Sequence, residues 1–389
     1  MIKLLKKFGY VPRLCVWELT LQCNLNCRHC GSRAGKGRDD ELTTPEALKL
    51  ANDLADLGCK NLTLGGGEPL LRRDWPLIAT TLIDRGVKTN MVTNGRAWNK
   101  ETTKTARTVG LESVAFSVDG LEETHTYVRR VEGHWRHVFD CIDDCKAHGV
   151  IPSVITTVHR RNLHELDALR EVLAQHGVER WQVQLGNPTG NMADHRDLCI
   201  EPEDVLVMVP KIAQLCRDKS RPKVYPGHNV GYYGDAEEDL RDTGGAIPFW
   251  IGCTAGISVI GIESNGNIKG CLSLPSAMNH EDRFVEGNIR QRSLRDIWTD
   301  PNAFAYNRKF TVDQLEGFCR ACDYAEICRG GCSWTAFAYT TSRYDNPYCY
   351  YRQLKLQEER DKPGIPRPSA KYRLPIVDTA PAKPDHTAS

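Results

Sequence analysis

Leu14-Cys-Val-Trp-Glu-Leu-Thr20-Leu-Gln-Cys23-Asn-Leu-Asn-Cys27-Arg-His-Cys30 joins an apolar run directly to three cysteines. Branched and aromatic residues at Leu14 to Leu19 predict a strand, and the cysteines then fall on the loop at its carboxyl end. The same alternation continues outward. Apolar runs at Asn61 to Leu64, Lys88 to Val92, Ser113 to Val118, Ile151 to Val158 and Trp181 to Leu185 alternate with helix-like stretches, giving six βα pairs. Parallel strands with right-handed crossovers follow from that order, and six pairs make an open, partial (β/α)6 barrel of the α/β class. Chemistry in such folds sits at the carboxyl ends of the strands, where the cysteine loop lies.

The helices have readable ends. Thr44-Pro45 offers a cap and a first-turn proline, Ala47, Leu50, Ala51, Leu54 and Leu57 recur at helical spacing, and Gly58 ends the run. Another helix begins at Asn162, places Leu166, Leu169 and Leu173 on one face, and stops at Gly177. Residues 1–190 thus read as the barrel. Residues 191–250 read as a bridge, with a helix near Val205 to Cys216 interrupted by Pro210 and an aromatic loop at His228, Tyr232 and Tyr233, which either lines a substrate cavity or, its ordinary role, packs. Residues 251–355 change to short elements dense in cysteine, glycine and aromatics, a metal-organised domain. Residues 361–389 carry six prolines and few apolar groups, which predicts a disordered tail.

Composition excludes several classes. Lys+Arg (51) and Asp+Glu (50) nearly cancel, so neither nucleic acid nor a membrane surface is implied as a partner. Met1 to Gly9 lacks the apolar core of a secretory signal, which predicts a cytoplasmic chain. The uncharged run Thr243 to Ile262 is broken by five glycines and Pro248, and its end reads as a strand instead of a membrane span. Sixteen cysteines in such a chain imply metal or redox chemistry, not a disulfide framework.

Three thiolates on one short loop suit three irons of a [4Fe-4S] cube and leave the fourth iron open. Zinc is the competing reading, but structural zinc wants four closed ligands, and only His29 is near enough in sequence to complete the set. The C-x3-C-x2-C spacing of Cys23, Cys27 and Cys30 resembles the signature of the radical SAM superfamily, with His29 where that family normally has another aromatic ring. Gly65-Gly66-Gly67-Glu68-Pro69 after the second strand resembles its GGE motif. Asn94 after the third strand, Ser117 and Asp119 after the fourth, and Arg129 ten residues on also fall in register. The resemblance implies S-adenosylmethionine (SAM) contacts at His29, Gly66, Gly67, Glu68, Asn94, Ser117, Asp119 and Arg129. Taken alone, the Asn-Gly and Asp-Gly pairs are turn formers and Arg129 a solvated charge.

Cys319-x2-Cys322-x5-Cys328-x3-Cys332, with Cys253, Gly266 and Cys271 before it and Cys349 after it, resembles the seven-cysteine SPASM domain of radical SAM maturases. The resemblance implies two auxiliary iron-sulfur clusters, one on Cys319, Cys322, Cys328 and Cys349, the other on Cys253, Cys271 and Cys332. Three full cubes with one open iron need one thiolate more than the matched set supplies, so the second auxiliary cluster is expected to have an open or non-cysteine site. Of the other cysteines, Cys141 and Cys145 share a helical face with Val138 and Ile142, and Cys216 falls in register with Val209 and Ile212, which predicts buried core. Cys15 lies in the first strand and Cys59 just before the second; Cys199 has no evident place.

The family reaction is reductive cleavage of SAM to a 5′-deoxyadenosyl radical that abstracts hydrogen from substrate. SPASM-bearing relatives mostly act on peptides, so the first expectation is an oxidoreductase that matures a ribosomally made precursor peptide (a RiPP maturase). A flavodoxin- or ferredoxin-type protein would be the reductant. Recognition of the peptide would rest on a separate protein or on direct leader binding, since the first strand starts near residue 14. Sulfatase maturation fits less well, because Leu272 stands where that subfamily keeps an aspartate after the cysteine. A radical dehydrogenase or rearrangement enzyme for a small molecule, and a non-catalytic iron-sulfur or zinc protein, are the alternatives. No general base is identified.

Overall fold

The computed structural model describes residues 9–242, 249–275 and 283–362. The expected tail, apart from Asp361 and Lys362, lies outside the described residues, as does the first part of the uncharged run. No helix among the described residues is long and apolar enough to cross a membrane.

The first strand, β1 (Leu14–Thr20), buries Cys15, Trp17 and Leu19 completely and lies inside the sheet. Five more strands follow with the predicted order: β2 (Asn61–Gly66), β3 (Lys88–Thr93), β4 (Ser113–Ser117), β5 (Pro152–Val158) and β6 (Arg180–Leu185). Each is parallel to its neighbour. The sheet is open and mostly parallel, but it is wider than six strands. β7 (Lys223–Pro226), from the bridging region, joins β6 in parallel, and β8 (Val259–Ile262), from the cysteine-rich region, joins β1 in parallel. Antiparallel β9 (Asn267–Lys269) and β10 (Val285–Asn288) complete the strand order β10-β9-β8-β1-β2-β3-β4-β5-β6-β7. β7 is four residues long and ends in Pro226, whose missing N–H is tolerable at a sheet edge.

Helices cover the sheet by their apolar stripes. α1 (Thr44–Asp56) buries Ala47, Leu50, Ala51 and Leu54. Its cap is Thr43, one residue before the expected position, because Glu46 reaches back to the Thr43 N–H and closes a capping box. Next come α2 (Trp75–Asp84), α3 (Lys100–Val109), α4 (Glu122–Arg129), α5 (His134–Ala147) and α6 (Leu166–Gln175). α5 buries Val138, Cys141, Ile142 and Cys145, and α6 buries Leu166, Leu169 and Leu173. The expected break at Pro210 does not occur. α7 runs through it from Val205 to Arg217, since Val205, Met208, Val209, Ile212, Ala213 and Cys216 bury a continuous face that outweighs one lost backbone hydrogen bond. Cys15 and Cys59 belong to the core, and Cys199 is buried beside Met192 and Leu198.

Candidate active site and cysteine centres

β1 delivers the cysteine loop to the carboxyl edge of the sheet, and neighbouring loops clamp it there. Cys23 N–H donates to Gly35 O (2.9 Å) and Arg28 N–H to Val128 O (2.9 Å), which ties the loop to α4. Asn191 donates from its backbone to Cys30 O (2.8 Å) and from its side chain to Cys27 O (2.9 Å). Glycine is required where β2 meets this loop. A Cβ on Gly66 would lie 2.3 Å from Thr20 O, and one on Gly67 would lie 2.3 Å from Gln22 O. These residues thus let β2 press against the start of the cysteine loop, a packing duty beyond the ligand approach expected from the sequence.

Above the loop is a cavity of about 280 Å³. Cys23, Cys27 and Cys30 share its wall with His29, Gly66, Gly67, Asn94, Ser117 and Arg129. Thr157 on β5, Gln184 at the end of β6, Asn187 just beyond it and Trp334 in the helix Ser333–Thr340 also line it, beyond the residues that the sequence marks. The first three stand at or just after strand ends, where a polar side chain is itself a signal. Trp334 had no such signal, because it arrives from the distant cysteine-rich region.

Glu68 and Asp119 lie beneath this wall. The carboxylate of Glu68, fully buried, accepts from Thr93 Oγ1 (2.7 Å) and the Asn94 N–H (2.8 Å), fastening β2 to β3. Asp119 Oδ2 accepts from Arg129 Nη2 (2.6 Å), Arg129 Nε (2.9 Å) and His29 Nε2 (2.9 Å), while Oδ1 accepts from the Thr157 N–H (2.9 Å). Burial works against the Asp119 charge, but Arg129 and His29 hold its carboxyl well below the usual range. Both acids position wall residues and do not themselves line the cavity.

Behind them runs a chain of neutral imidazoles. The Asp119 N–H donates to His125 Nδ1 (3.2 Å), so His125 Nε2 donates to His134 Nδ1 (2.8 Å) and His134 Nε2 donates to Asn94 O (3.0 Å). Burial lowers the pKa of both rings, that of His134 to about 4.

The donor set fits an iron-sulfur cluster. Burial pushes the Cys27 thiol up to about 11, opposed by Arg129, whose Nη1 lies 3.9 Å from Cys27 Sγ. Metal binding would displace that proton, and the guanidinium complements the anionic product. Among the described residues no three His, Cys, Asp or Glu side chains close on one point as a single metal ion requires. His29 Nδ1, Asn187 Oδ1 and Trp334 Nε1 are buried without a partner among the wall residues.

The seven later cysteines form two further groups. Cys319, Cys322, Cys328 and Cys349 surround one small pocket with Tyr232, Tyr233 and Tyr351. Tyr232 and Tyr233 pack with Cys328 and Cys349, and Tyr232 Oη donates to His228 O (2.8 Å) and accepts from the Cys332 N–H (3.1 Å), so the aromatic loop lines this pocket and not the larger cavity. Cys253, Cys271 and Cys332, each half-buried, lie near enough to interact electrostatically. Burial raises Cys271 and pushes Cys332 up to about 12. At Cys253 burial is more than offset by Ser333, the Ala255 N–H, Asn307 and Arg343, so that thiol falls below its ordinary value.

The radical SAM superfamily model matches residues 17–173, and the SPASM iron-sulfur cluster-binding domain matches residues 253–323. The chain is 30% identical over 355 residues to the AdoMet-dependent heme synthase of Methanosarcina barkeri, covering 88% of this chain and 98% of that protein. It is 29% identical over 362 residues to the mycofactocin maturase MftC of Mycolicibacterium smegmatis, covering 90% and 86%. Streptococcus suis SuiB bound to S-adenosylmethionine has the same fold, with a TM-score of 0.69 at 16% identity over 88% of this chain and 79% of that one. Sequence, site and relatives agree: the chain belongs to the radical SAM superfamily and carries a SPASM domain, an enzyme that uses a [4Fe-4S] cluster and SAM together with auxiliary iron-sulfur clusters.

Proposed function

We propose that Cys23, Cys27 and Cys30 hold the SAM-cleaving cluster and that the enzyme takes hydrogen from a ribosomally made peptide, leaving a crosslink or another oxidative change. When bound, cluster and SAM supply a carbon radical strong enough to remove an unactivated hydrogen. The protein positions that hydrogen and keeps water away. His29, Gly66, Gly67, Asn94, Ser117 and Arg129 form the SAM side of the cavity, with Glu68 and Asp119 bracing it. Thr157, Gln184, Asn187 and Trp334 form the side left for substrate.

The observation that carries the peptide reading is the chemistry of that wall. Its groups are hydroxyls, amides and an indole, and among the described residues lining the whole cavity the one permanently charged side chain is Arg129, on the SAM side and already paired with Asp119. Such a surface complements peptide amides, which need hydrogen-bond partners once desolvated. Cys319, Cys322, Cys328 and Cys349, and Cys253, Cys271 and Cys332, would hold auxiliary clusters able to accept an electron from an oxidised substrate, and a flavodoxin- or ferredoxin-type protein would be the reductant.

The heme synthase at 30% identity favours a second reading, a tetrapyrrole substrate. Tetrapyrrole carboxylates would call for unpaired cations in the wall. Co-expression with the peptide encoded beside the gene, followed by mass spectrometry, separates the two. The peptide reading predicts a product at least two hydrogens lighter; an unchanged peptide, with turnover of an iron porphyrin carboxylate instead, would replace it.

A further inference from the structure

Cys253, Cys271 and Cys332 leave one iron of a cube without a thiolate, and the structure puts an unpartnered phenol beside them. Tyr306 lies on the short helix Ala305–Arg308, and its hydroxyl is buried with no hydrogen-bond partner among the described residues. That is unusual for a group whose polar tip normally finds one when buried. The phenol ring, Cys271 and Trp334 pack against the same buried cluster of Leu274, Phe284 and Phe337, and the electrostatic neighbours of the hydroxyl include both Cys253 and Cys271.

Backbone geometry fixes where the hydroxyl points. A Cβ on Gly270 would lie 2.1 Å from Tyr306 Oη and 2.8 Å from Gly256 N, so the oxygen occupies the space a side chain beside Cys271 would fill, next to the segment that carries Cys253. The ring is held there. Asn307, the next residue, donates to Ala255 O (2.8 Å); the Arg343 guanidinium lies 5.1 Å from the ring centroid and hydrogen-bonds Asn307 Oδ1 (2.6 Å) and the Tyr306 carbonyl. Phe284 meets the ring edge to face at 5.7 Å.

We propose that the phenolate oxygen of Tyr306 is the fourth protein ligand of the auxiliary cluster on Cys253, Cys271 and Cys332. The inference rests on the assignment of that cluster to those three cysteines. On ligation the phenol O–H bond breaks, its proton leaves to solvent, and an oxygen-iron bond forms with no change in the electron count. Arg343, whose guanidinium already lies at this corner, offsets the added negative charge. A cluster closed in this way carries electrons and does not bind substrate.

The full-length chain, reconstituted anaerobically with iron and sulfide, provides the test. Resonance Raman excitation in the visible should show iron-phenolate ring modes that shift when the protein is made with ring-deuterated tyrosine. Those modes should vanish in Tyr306→Phe, whose cluster should then respond to added imidazole by a changed EPR spectrum, with iron content retained. Absence of phenolate modes from the fully loaded wild-type chain, or their persistence in Tyr306→Phe, overturns the assignment. Iron analysis of Cys271→Ala tests the underlying reading separately. Loss of about one cluster's iron leaves that reading standing whatever the Raman result, whereas unchanged iron removes both.

Discussion

The amino-terminal cysteines and the group at Cys319, Cys322, Cys328 and Cys349 present the same thiol chemistry in opposite surroundings. The first lines a cavity of about 280 Å³ beside amides, hydroxyls and a paired arginine, on a loop that the parallel sheet holds at its edge. The second is packed against Tyr232, Tyr233, Phe318 and Tyr351, on helices of four residues and the turns between them. On the proposed assignment, the site that admits SAM and substrate stands on a sheet with its own apolar core, whereas the group that only holds a cluster is expected to depend on that cluster for its shape.

Removing the metal should therefore break the comparison most forcefully. Chelated, reduced protein is expected to lose protease protection across residues 283–349 while the stretch from β1 to β6 stays resistant, as peptide mapping would show. Equal digestion of both regions would mean that the barrel also needs its cluster. The next largest effect is expected at the buried pair of Arg129 in the cavity wall and Asp119 beneath it. Arg129→Ala leaves Asp119 charged and buried, which should cost about 3–5 kcal/mol in denaturant unfolding, with Arg129→Ala/Asp119→Asn recovering part of it.

Gly67→Ala sharpens the same contrast, since the added methyl would meet backbone oxygens at 2.3 and 2.5 Å. A loss of about 1–3 kcal/mol is expected, together with weaker SAM binding by calorimetry. The smallest effect is set by pH. His125 and His134 have folded pKa values below the unfolded value near 6.5, so the unfolded chain binds more protons between that value and about 4. Their contribution is fully present above about pH 6.5 and is lost as pH falls toward 4. The melting temperature should follow that window, and His134→Gln should flatten it.

Much of this was legible in the sequence because local signals and tertiary demands coincided. Each of the six strands from β1 to β6 combined apolar runs with turn residues, and the cysteine loop followed the first of them directly. Elements whose signal is weak in isolation were not readable. β7 is short and ends in proline, and Pro210 sits in a helix that tertiary burial sustains; the strand at the end of the uncharged run was readable as β8, but its place beside β1 was not. The spacing marked Glu68 and Asp119, but only the fold shows that they brace the wall from beneath. Trp334 shows the complementary limit, as its role depends on the cysteine-rich region folding back over the barrel.

The most direct test of the central claim is release of 5′-deoxyadenosine. Reduced, iron-loaded protein incubated with SAM should release 5′-deoxyadenosine and methionine, and Cys27→Ala should release neither while keeping the iron of its later cysteines. Zinc in place of iron at Cys23, Cys27 and Cys30, or unchanged release from Cys27→Ala, would contradict the account.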